Sequence, residues 1–194
     1  MDNTLRIYME AVNRIDDFFE YRYKNYSKEE IKSIVMDIID NITKEFKGIN
    51  LPKPIDCFHG DFYFLSNFYP GDESSLEHKY QAAKCDRESE AEEIYRCEKP
   101  GKAKRLGRNV HLRPRWDKIK EDVMLDLLRA KFNDISLAEK LIETADRPLI
   151  EGNNWHDNYW GNCDCVGCAS IEGQNVLGKL LEKVRKECLG KLFE

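Results

Sequence analysis

A carboxylate, an amide and an amine share one face of a predicted helix in the segment EHKYQAAK, residues 77–84. At about 100° per residue, Gln81 and Lys84 point in the same direction as Glu77, because they follow it by four and seven positions. A carboxylate and an amine on one face could support acid–base or nucleophilic catalysis. The same spacing is also typical of a solvated helix face with i,i+4 pairs. The face alone leaves both interpretations open.

The residues before this helix favour the catalytic interpretation. The run FHGDFYFLSNFYP, residues 58–70, is dense in aromatic side chains and includes Ser66 and Asn67 just before Phe68. Aromatic walls with a few convergent polar groups are typical of small-ligand pockets. We therefore predict that Ser66, Asn67 and Phe68 contact a substrate.

Six segments of the chain follow one another in a recognisable order. They are FHGDFYFLSNFYP, EHKYQAAK, AKRLGR (103–108), RPRWDKIKEDVMLDLLRAKF (113–132), RPLIEGNNWHDNYWG (147–161) and GQNVLGKLLEKVR (173–185). In this order they resemble the successive motifs of the NADAR family, named for its association with NAD and ADP-ribose. The resemblance extends from about Phe58 to Cys188, which is most of the chain.

The resemblance implies an N-glycosidase. The family hydrolyses the bond between ADP-ribose and guanine bases, and also ribosylamino-pyrimidine intermediates of riboflavin synthesis. By resemblance Glu77 and Lys84 are the expected catalytic residues. The other predicted substrate-binding residues are Gln81, Arg108, Trp116, Trp160 and Gly161. From its position near the start of a helix, Trp116 could equally be a core residue.

Breaking a ribosyl C1–N bond develops positive charge on the sugar, so a carboxylate near C1 stabilises the transition state while a second group handles a proton. Glu77 and Asp157 fit these two needs, and Asp157 is therefore a third predicted catalytic residue. The sequence leaves two possible roles for Lys84. It could attack C1 and form an imine that water later hydrolyses, or it could remain a protonated partner of the carboxylate or of a substrate phosphate. None of these routes requires a catalytic metal or another cofactor.

The expected substrate is an ADP-ribosylated guanine base, nucleoside or nucleic acid. A cluster of cations could hold its diphosphate, although the same cluster could be a solvated helix face and turn. Its members are Lys102, Lys104, Arg105, Arg108, Arg113 and Arg115. A riboflavin-pathway pyrimidine is the alternative substrate, and a non-catalytic binder of ADP-ribose or a related nucleotide is the alternative function. The segment GDESSL, residues 71–76, is shorter than the hairpin frequent in the family, so substrate choice could differ.

Three cysteines follow the WHDNYWG segment in the pattern C-x-C-x2-C, at Cys163, Cys165 and Cys168. They could share a zinc ion, with Cys188, Cys57 or His156 as a fourth ligand. The alternative is a tight loop with small side chains. In the family this position is commonly a glycine-rich turn, so the shape of the loop stays open.

Composition limits the class of protein. The chain has 194 residues, 41% hydrophobic content and a formal net charge of −5, which disfavours binding of long duplex DNA through bulk electrostatics. No run reaches the ~18 apolar residues that a membrane span needs, and no apolar signal core follows the N-terminus. We therefore expect a cytoplasmic protein with no membrane contact, in which the seven cysteines are free thiols or metal ligands.

The pattern of elements predicts an α+β fold, mainly a helical single domain with a small β-sheet. A helical N-terminal extension is predicted over residues 1–50 and a NADAR-like catalytic domain over 55–190. The apolar faces of the extension would be buried on the core, on a partner protein or in self-association. Short strands are predicted at 55–59, 62–65 and 148–151, and helices at 75–96, 100–108, 114–132, 136–144 and 173–189.

Overall fold

The structure is a computed structural model, and it describes residues 26, 27, 30, 34, 52–71 and 74–191. The chain divides into two units, Met1–Leu51 and Pro52–Glu194. Most of the predicted N-terminal extension, with its proposed partner surface, lies outside the described residues. Within this extension Ser27 and Glu30 form a capping box, since Ser27 N donates to Glu30 Oε2 at 2.8 Å and Glu30 N donates to Ser27 Oγ at 3.3 Å.

Helices dominate the described part of the second unit. They are α1 (Leu76–Ala83), α2 (Glu88–Tyr95), α3 (Pro100–Leu106), α4 (Trp116–Lys131), α5 (Ile135–Glu143) and α6 (Val176–Gly190). Two 3-10 helices cover Gly60–Leu65 and Val166–Cys168, and a parallel pair of strands, β1 (Gly152–Asn153) and β2 (Asn162–Cys163), forms the sheet. The predicted α+β class, mainly helical with a small sheet, is confirmed.

The helix predicted over 75–96 is wrong in one respect, because it is two helices. The chain leaves α1 at Lys84, and Cys85 forms an isolated antiparallel bridge with Leu112. Asp86 N then donates to His111 O at 2.7 Å. These partners lie more than twenty residues away, so the local helical pattern carries no sign of the break.

All three predicted strands also differ. Residues 62–65 form a 3-10 helix, in which Phe62 N donates to His59 O and Ser66 N donates to Tyr63 O, each at 3.0 Å. The strands predicted at 55–59 and 148–151 reduce to a parallel bridge between Ile55 and Leu149. The paired strands lie further along the chain, where the 154–161 loop brings β2 beside β1 in the same direction.

The main core lies where α4 and α6 pack together, with α1 and α5 against them. Leu177, Leu181 and Val184 of α6 follow at helical spacing, and Met124 and Leu128 of α4 are similarly spaced. Each fully buried side chain of this size stabilises the fold by about 1.5–3 kcal/mol. This packing fixes the helices that flank the site.

A second, smaller core positions α1 from its other side. It contains Ala82, Ile94, Cys97 and Ala103, contributed mainly by α1, α2 and α3. His78 of α1 is buried there, with Nδ1 2.7 Å from Ser75 Oγ and Nε2 3.0 Å from Cys97 O. Helix α1 is therefore held between two cores.

Within the described residues, no helix is both long and apolar enough for a membrane span.

Candidate active site

A cavity of about 330 Å³ opens between the 58–68 loop, α1 and the 151–160 loop. Its aromatic walls include Tyr63, Phe68, Tyr80, Trp155 and Trp160. Its polar lining residues are His59, Ser66, Asn67, Glu77, Gln81, Lys104, Glu151, Asn153 and Asp157. The size and the mixture of aromatic and polar groups suit a small organic ligand.

The 58–68 loop is tied to two helices. Glu77 N donates to Asn67 O at 2.9 Å, which joins the loop to the first turn of α1. Lys131 Nζ donates to Ser66 O at 2.8 Å, which joins the loop to the end of α4. These bonds hold the predicted residues Ser66, Asn67 and Phe68 at the cavity.

Glu77 is buried and is only 4% exposed. Gln81 Nε2 donates to Glu77 Oε1 at 2.7 Å, as the i,i+4 spacing predicts. Burial raises the pKa of Glu77 above its ordinary value, and the Lys104 amine and the Gln81 hydrogen bond oppose this rise. Gly107 leaves room for the Gln81 amide, because a Cβ at this position would overlap Gln81 Oε1.

Glu151 is a cavity residue that our sequence reasoning missed. Burial raises the pKa of its carboxyl to about 7, and the Lys104 amine opposes the rise. Its backbone is fixed on both sides, since Glu151 N donates to Asn175 Oδ1 at 3.0 Å and Asn162 N donates to Glu151 O at 2.9 Å. The sequence feature that could have identified Glu151 is its position directly after the apolar pair Leu149 and Ile150, within one of the six family-like motifs.

Asp157 lines the cavity and also builds its loop. Its Oδ1 accepts hydrogen bonds from Trp160 N at 2.9 Å and from Tyr159 N at 3.3 Å. Asn153 completes the turn, because Asn153 Nδ2 donates to Asp157 O at 2.7 Å. One carboxylate oxygen of Asp157 is therefore used to shape the 155–161 loop.

Two lysines lie near Glu77, and they differ in position. Lys84 is at the C-terminal cap of α1, is partly buried and is not among the residues that line the cavity. Burial lowers the pKa of Lys84, while the Glu77 carboxylate opposes the decrease. Lys104 of α3 does line the cavity, with Nζ 5.5 Å from the ring centroid of Trp155 and 5.8 Å from that of Phe68. We had placed Lys104 only in the basic cluster.

Three other predicted substrate contacts lie outside the cavity lining. Arg108 is exposed beyond the end of α3. Trp116 is 6% exposed and lies behind the wall, with its ring centroid 5.3 Å from that of Tyr80. Gly161 is buried, and a Cβ there would overlap Glu151 O. Trp116 and Gly161 thus support lining residues, whereas Gln81 and Trp160 line the cavity directly.

Three buried side-chain oxygens have no hydrogen-bond partner among the described residues. They are Asn67 Oδ1, Gln81 Oε1 and Glu151 Oε2. All three residues line this one cavity. An unpaired buried acceptor costs about 1–3 kcal/mol. These oxygens are covered by protein, so a ligand in the cavity would reach them only after the side chains move.

One group of side chains beside the cavity has the composition of a metal centre. The ligand atoms of His156, Cys163, Cys165 and Cys168 all lie within 4.8 Å of one another. Cys57 and Cys188, which we had considered as alternative fourth ligands, are not in this group.

Comparison with known proteins gives consistent matches. A family model described as the NADAR domain matches residues 58–189. The N-glycosidase YbiA of Shigella boydii serotype 4 (strain Sb227) is 40% identical over 114 residues, covering 57% of this chain and 68% of that protein. A riboflavin biosynthesis protein of Vibrio vulnificus (strain YJ016) is 34% identical over 165 residues, covering 80% of this chain and 42% of that protein. The NMR structure of Escherichia coli YbiA matches with a TM-score of 0.63 and 32% identity, over 75% of this chain and 90% of that chain.

Proposed function

The chain belongs to the NADAR domain family, and we propose that it is an N-glycosidase that hydrolyses the C1–N bond of a ribosylated base. The family match confirms the resemblance carried by the six sequence motifs. Relatives named N-glycosidase support the reaction class. The observation that carries the proposal is the buried Glu77, which lines one cavity together with Glu151, Asn67 and Gln81 and with several aromatic side chains.

A ribosyl group matches these acceptors chemically. Its hydroxyl groups are hydrogen-bond donors, and Asn67 Oδ1, Gln81 Oε1 and Glu151 Oε2 are buried acceptors that need them. The aromatic walls formed by Tyr63, Phe68 and Trp155 suit the faces of a base. After movements of these side chains, a ligand of this kind would pair polar groups that have no partner among the described residues.

The reaction that we propose uses two carboxyl groups in different protonation states. Negative charge on Glu77 also helps to raise the pKa of Glu151, so the pair favours a state in which one carboxyl is protonated. In this state the Glu151 carboxyl gives its proton to the leaving nitrogen as the C1–N bond breaks. The Glu77 carboxylate stabilises the cationic sugar. Water then adds to C1 directly, or it hydrolyses the imine that forms when the Lys84 amine attacks C1 first. On the direct route the proton released by water returns to the carboxyl pair.

The predicted role of Asp157 changes within this proposal. Two backbone N–H groups already occupy its Oδ1, so we assign it to holding the loop against the sugar. Lys84 keeps both predicted roles, as nucleophile or as charged partner of Glu77. Lys104, which lines the cavity, is a second amine for either role.

The substrate that we favour is an ADP-ribosylated guanine. Helix α3 carries Lys104 at the cavity, and the exposed Arg105 and Arg108 follow it, so cations for a diphosphate are available outside the ribosyl site. The riboflavin biosynthesis name of one relative supports the alternative, a ribosylamino-pyrimidine phosphate. This alternative carries a single phosphate and has less need of several cations.

Single-turnover assays distinguish the candidates. Purified protein in excess is mixed either with an oligonucleotide carrying ADP-ribosylated guanine or with the ribosylamino-pyrimidine phosphate, and products are separated by liquid chromatography and mass spectrometry. We expect release of ADP-ribose and restoration of guanine. Turnover of the pyrimidine alone would make the ribosylamino-pyrimidine phosphate the favoured substrate in place of ADP-ribosylated guanine. Tight binding of ADP-ribose with no hydrolysis of either compound would identify a non-catalytic binder.

A further inference from the structure

The His156, Cys163, Cys165 and Cys168 side chains have the spacing of ligands around one metal ion. His156 Nδ1 lies 3.3 Å from Cys165 Sγ and 3.4 Å from Cys168 Sγ, and all four ligand atoms lie within 4.8 Å of one another. In a tetrahedral site with Zn–S near 2.3 Å and Zn–N near 2.0–2.1 Å, neighbouring ligand atoms are about 3.5–3.8 Å apart. The observed distances therefore require only small movements around an ion.

The backbone holds these side chains towards one point. His156 has a left-handed conformation, with φ of 67°, and its N–H donates to Cys163 Sγ at 3.3 Å. Asn158 Oδ1 accepts from Cys163 N at 2.9 Å, and Cys168 N donates to Cys165 O at 2.9 Å within a 3-10 turn. A left-handed histidine costs about 1–3 kcal/mol, which ligation of a metal offsets.

We propose that these four residues bind a structural zinc ion. Three thiolates and one imidazole form a complete Cys3His set, which matches the soft and borderline ligands that zinc prefers. With four protein ligands no coordination position remains for substrate or water, so the ion does not take part in the chemistry. The pattern H-x6-C-x-C-x2-C supplies all four ligands from one thirteen-residue segment, residues 156–168.

The ion would stiffen one wall of the cavity. His156 lies between Trp155 and Asp157, which both line the cavity, and Cys163 belongs to β2. A metal bound to His156 and Cys163 would therefore fix the two cavity residues relative to the sheet. Zinc binding itself does not depend on the proposed N-glycosidase activity, so each can fail without the other.

Metal content of the full chain tests the proposal. Protein expressed with zinc and purified without chelators is analysed by inductively coupled plasma mass spectrometry, and we expect about one zinc per chain. Cys165→Ser removes the least buried of the three thiols, and Cys57→Ser is the matched control at an exposed cysteine outside the group. In competition with a chelating indicator, Cys165→Ser should bind zinc more than about 100-fold more weakly, which exceeds the effect typical of losing a supporting contact. Cys57→Ser should match the parent.

A second measurement does not rely on folding of a variant. The parent protein, freed of metal and reconstituted with Co²⁺, should show the intense visible bands of tetrahedral cobalt together with thiolate-to-metal charge transfer. Native alkylation followed by mass spectrometry should find Cys163, Cys165 and Cys168 protected by zinc and released by chelator. Three results would each overturn the proposal: zinc-free parent protein with no tetrahedral cobalt spectrum, a disulfide among these cysteines in the native protein, or equal zinc affinity in Cys165→Ser and the parent.

Discussion

At the scale of single residues, the cavity is defined by two carboxyl groups that burial affects in the same way. Glu77 and Glu151 both have raised pKa values, and Lys104 opposes the rise at each. Two carboxyl groups with raised pKa values can supply a protonated acid and an anion at neutral pH, which is what cleavage of a C1–N bond requires. The assignment makes different predictions for the two residues.

Glu77→Gln should abolish hydrolysis while leaving substrate binding within about tenfold, because its charge acts mainly in the transition state. The expected loss in the single-turnover rate is about 10²–10⁴-fold. Glu98→Gln, which makes the same change at an exposed position beyond α2, is the matched control and should retain the parent rate. A Glu77→Gln protein that hydrolyses ADP-ribosylated guanine at the parent rate would remove Glu77 from the mechanism.

The pH dependence of the single-turnover rate should follow the titration of the Glu151 carboxyl. Because its carboxyl acts in the protonated form and its pKa is raised to about 7, the single-turnover rate should fall as the pH increases through about 7. In Glu151→Gln the rate should be low and should lack this decrease. A parent rate that stays constant between pH 6 and 8, roughly one unit on either side of this pKa, would contradict the role of Glu151 as acid.

Lys84 and Lys104 can be separated by trapping. If an amine attacks C1, borohydride added during turnover reduces the imine to a stable adduct, which peptide mass spectrometry locates. We expect the adduct on Lys84, whose pKa is lowered by burial, and expect Lys84→Arg to remove it. An adduct on Lys104 would move the nucleophile to α3. No adduct in an enzyme that is turning over would leave both lysines electrostatic roles and make water the nucleophile.

At the scale of elements, the sequence pattern predicted those helices whose bounds depend on local interactions. Helices α3 to α6 begin and end within a few residues of the predicted bounds, because apolar spacing and the breaks between segments are properties of the sequence itself. The face shared by Glu77 and Gln81 was predictable for the same reason. The 3-10 helix at Gly60–Leu65 was not, because a short aromatic run fits a strand as well as a helical turn.

The missed residues depend on contacts between distant segments. Glu151 acquires its raised pKa from burial in a fold that brings Asn162 and Asn175 to its backbone. Lys104 reaches the cavity because α3 packs against α1. Neither property is visible in residue spacing. The same is true of the break after Lys84, which depends on the bridge between Cys85 and Leu112.

A substitution at Gly161 tests whether the sheet positions the cavity residue Glu151. A Cβ at this position would overlap the Glu151 carbonyl oxygen and crowd Asn153 Nδ2, so Gly161→Ala must displace the backbone that carries Glu151. We expect a loss of about 1–3 kcal/mol in the free energy of unfolding, together with a lower hydrolysis rate. Gly190→Ala at the end of α6 is the control, since a Cβ there meets no atom within 4 Å. Equal stability of Gly161→Ala and Gly190→Ala in urea denaturation would contradict the crowding.

At the scale of the whole molecule, the fold buries ionisable groups of both signs near the 58–68 loop. Glu151 has its pKa raised to about 7, and Lys131 at the end of α4 has its pKa lowered to about 7, in both cases chiefly through burial. Lys131 is also the donor that ties Ser66 O to α4. The charges that shape the cavity therefore also affect the stability of the domain, with opposite dependence on pH.

The direction of each pH dependence follows from the number of protons that the group binds in the folded and in the unfolded state. Glu151 has an ordinary pKa of 4.5, so between about pH 4.5 and 7 the folded state binds more protons at this group and its contribution to stability falls as the pH rises. Lys131 has an ordinary pKa of 10.5, so between about pH 7 and 10.5 the unfolded state binds more protons and stability rises with pH. Together the two groups should give the unfolding free energy a minimum near neutral pH.

Lys131→Met should remove the alkaline part of this profile. At pH 6 the parent buries a charged amine, so the variant should be more stable than the parent, and the difference should shrink towards pH 10 as Lys131 becomes neutral in the folded state. The pKa displacement sets the change in this difference at about 5 kcal/mol at most, and the lost bond to Ser66 O lowers the stability of the variant by a similar amount at every pH. Lys118→Met, at an exposed position on the same helix, is the matched control and should show no such trend. Urea denaturation of the three proteins at pH 6, 8 and 10 measures the difference, and a constant offset between Lys131→Met and the parent would show that Lys131 remains charged in the folded protein throughout this range.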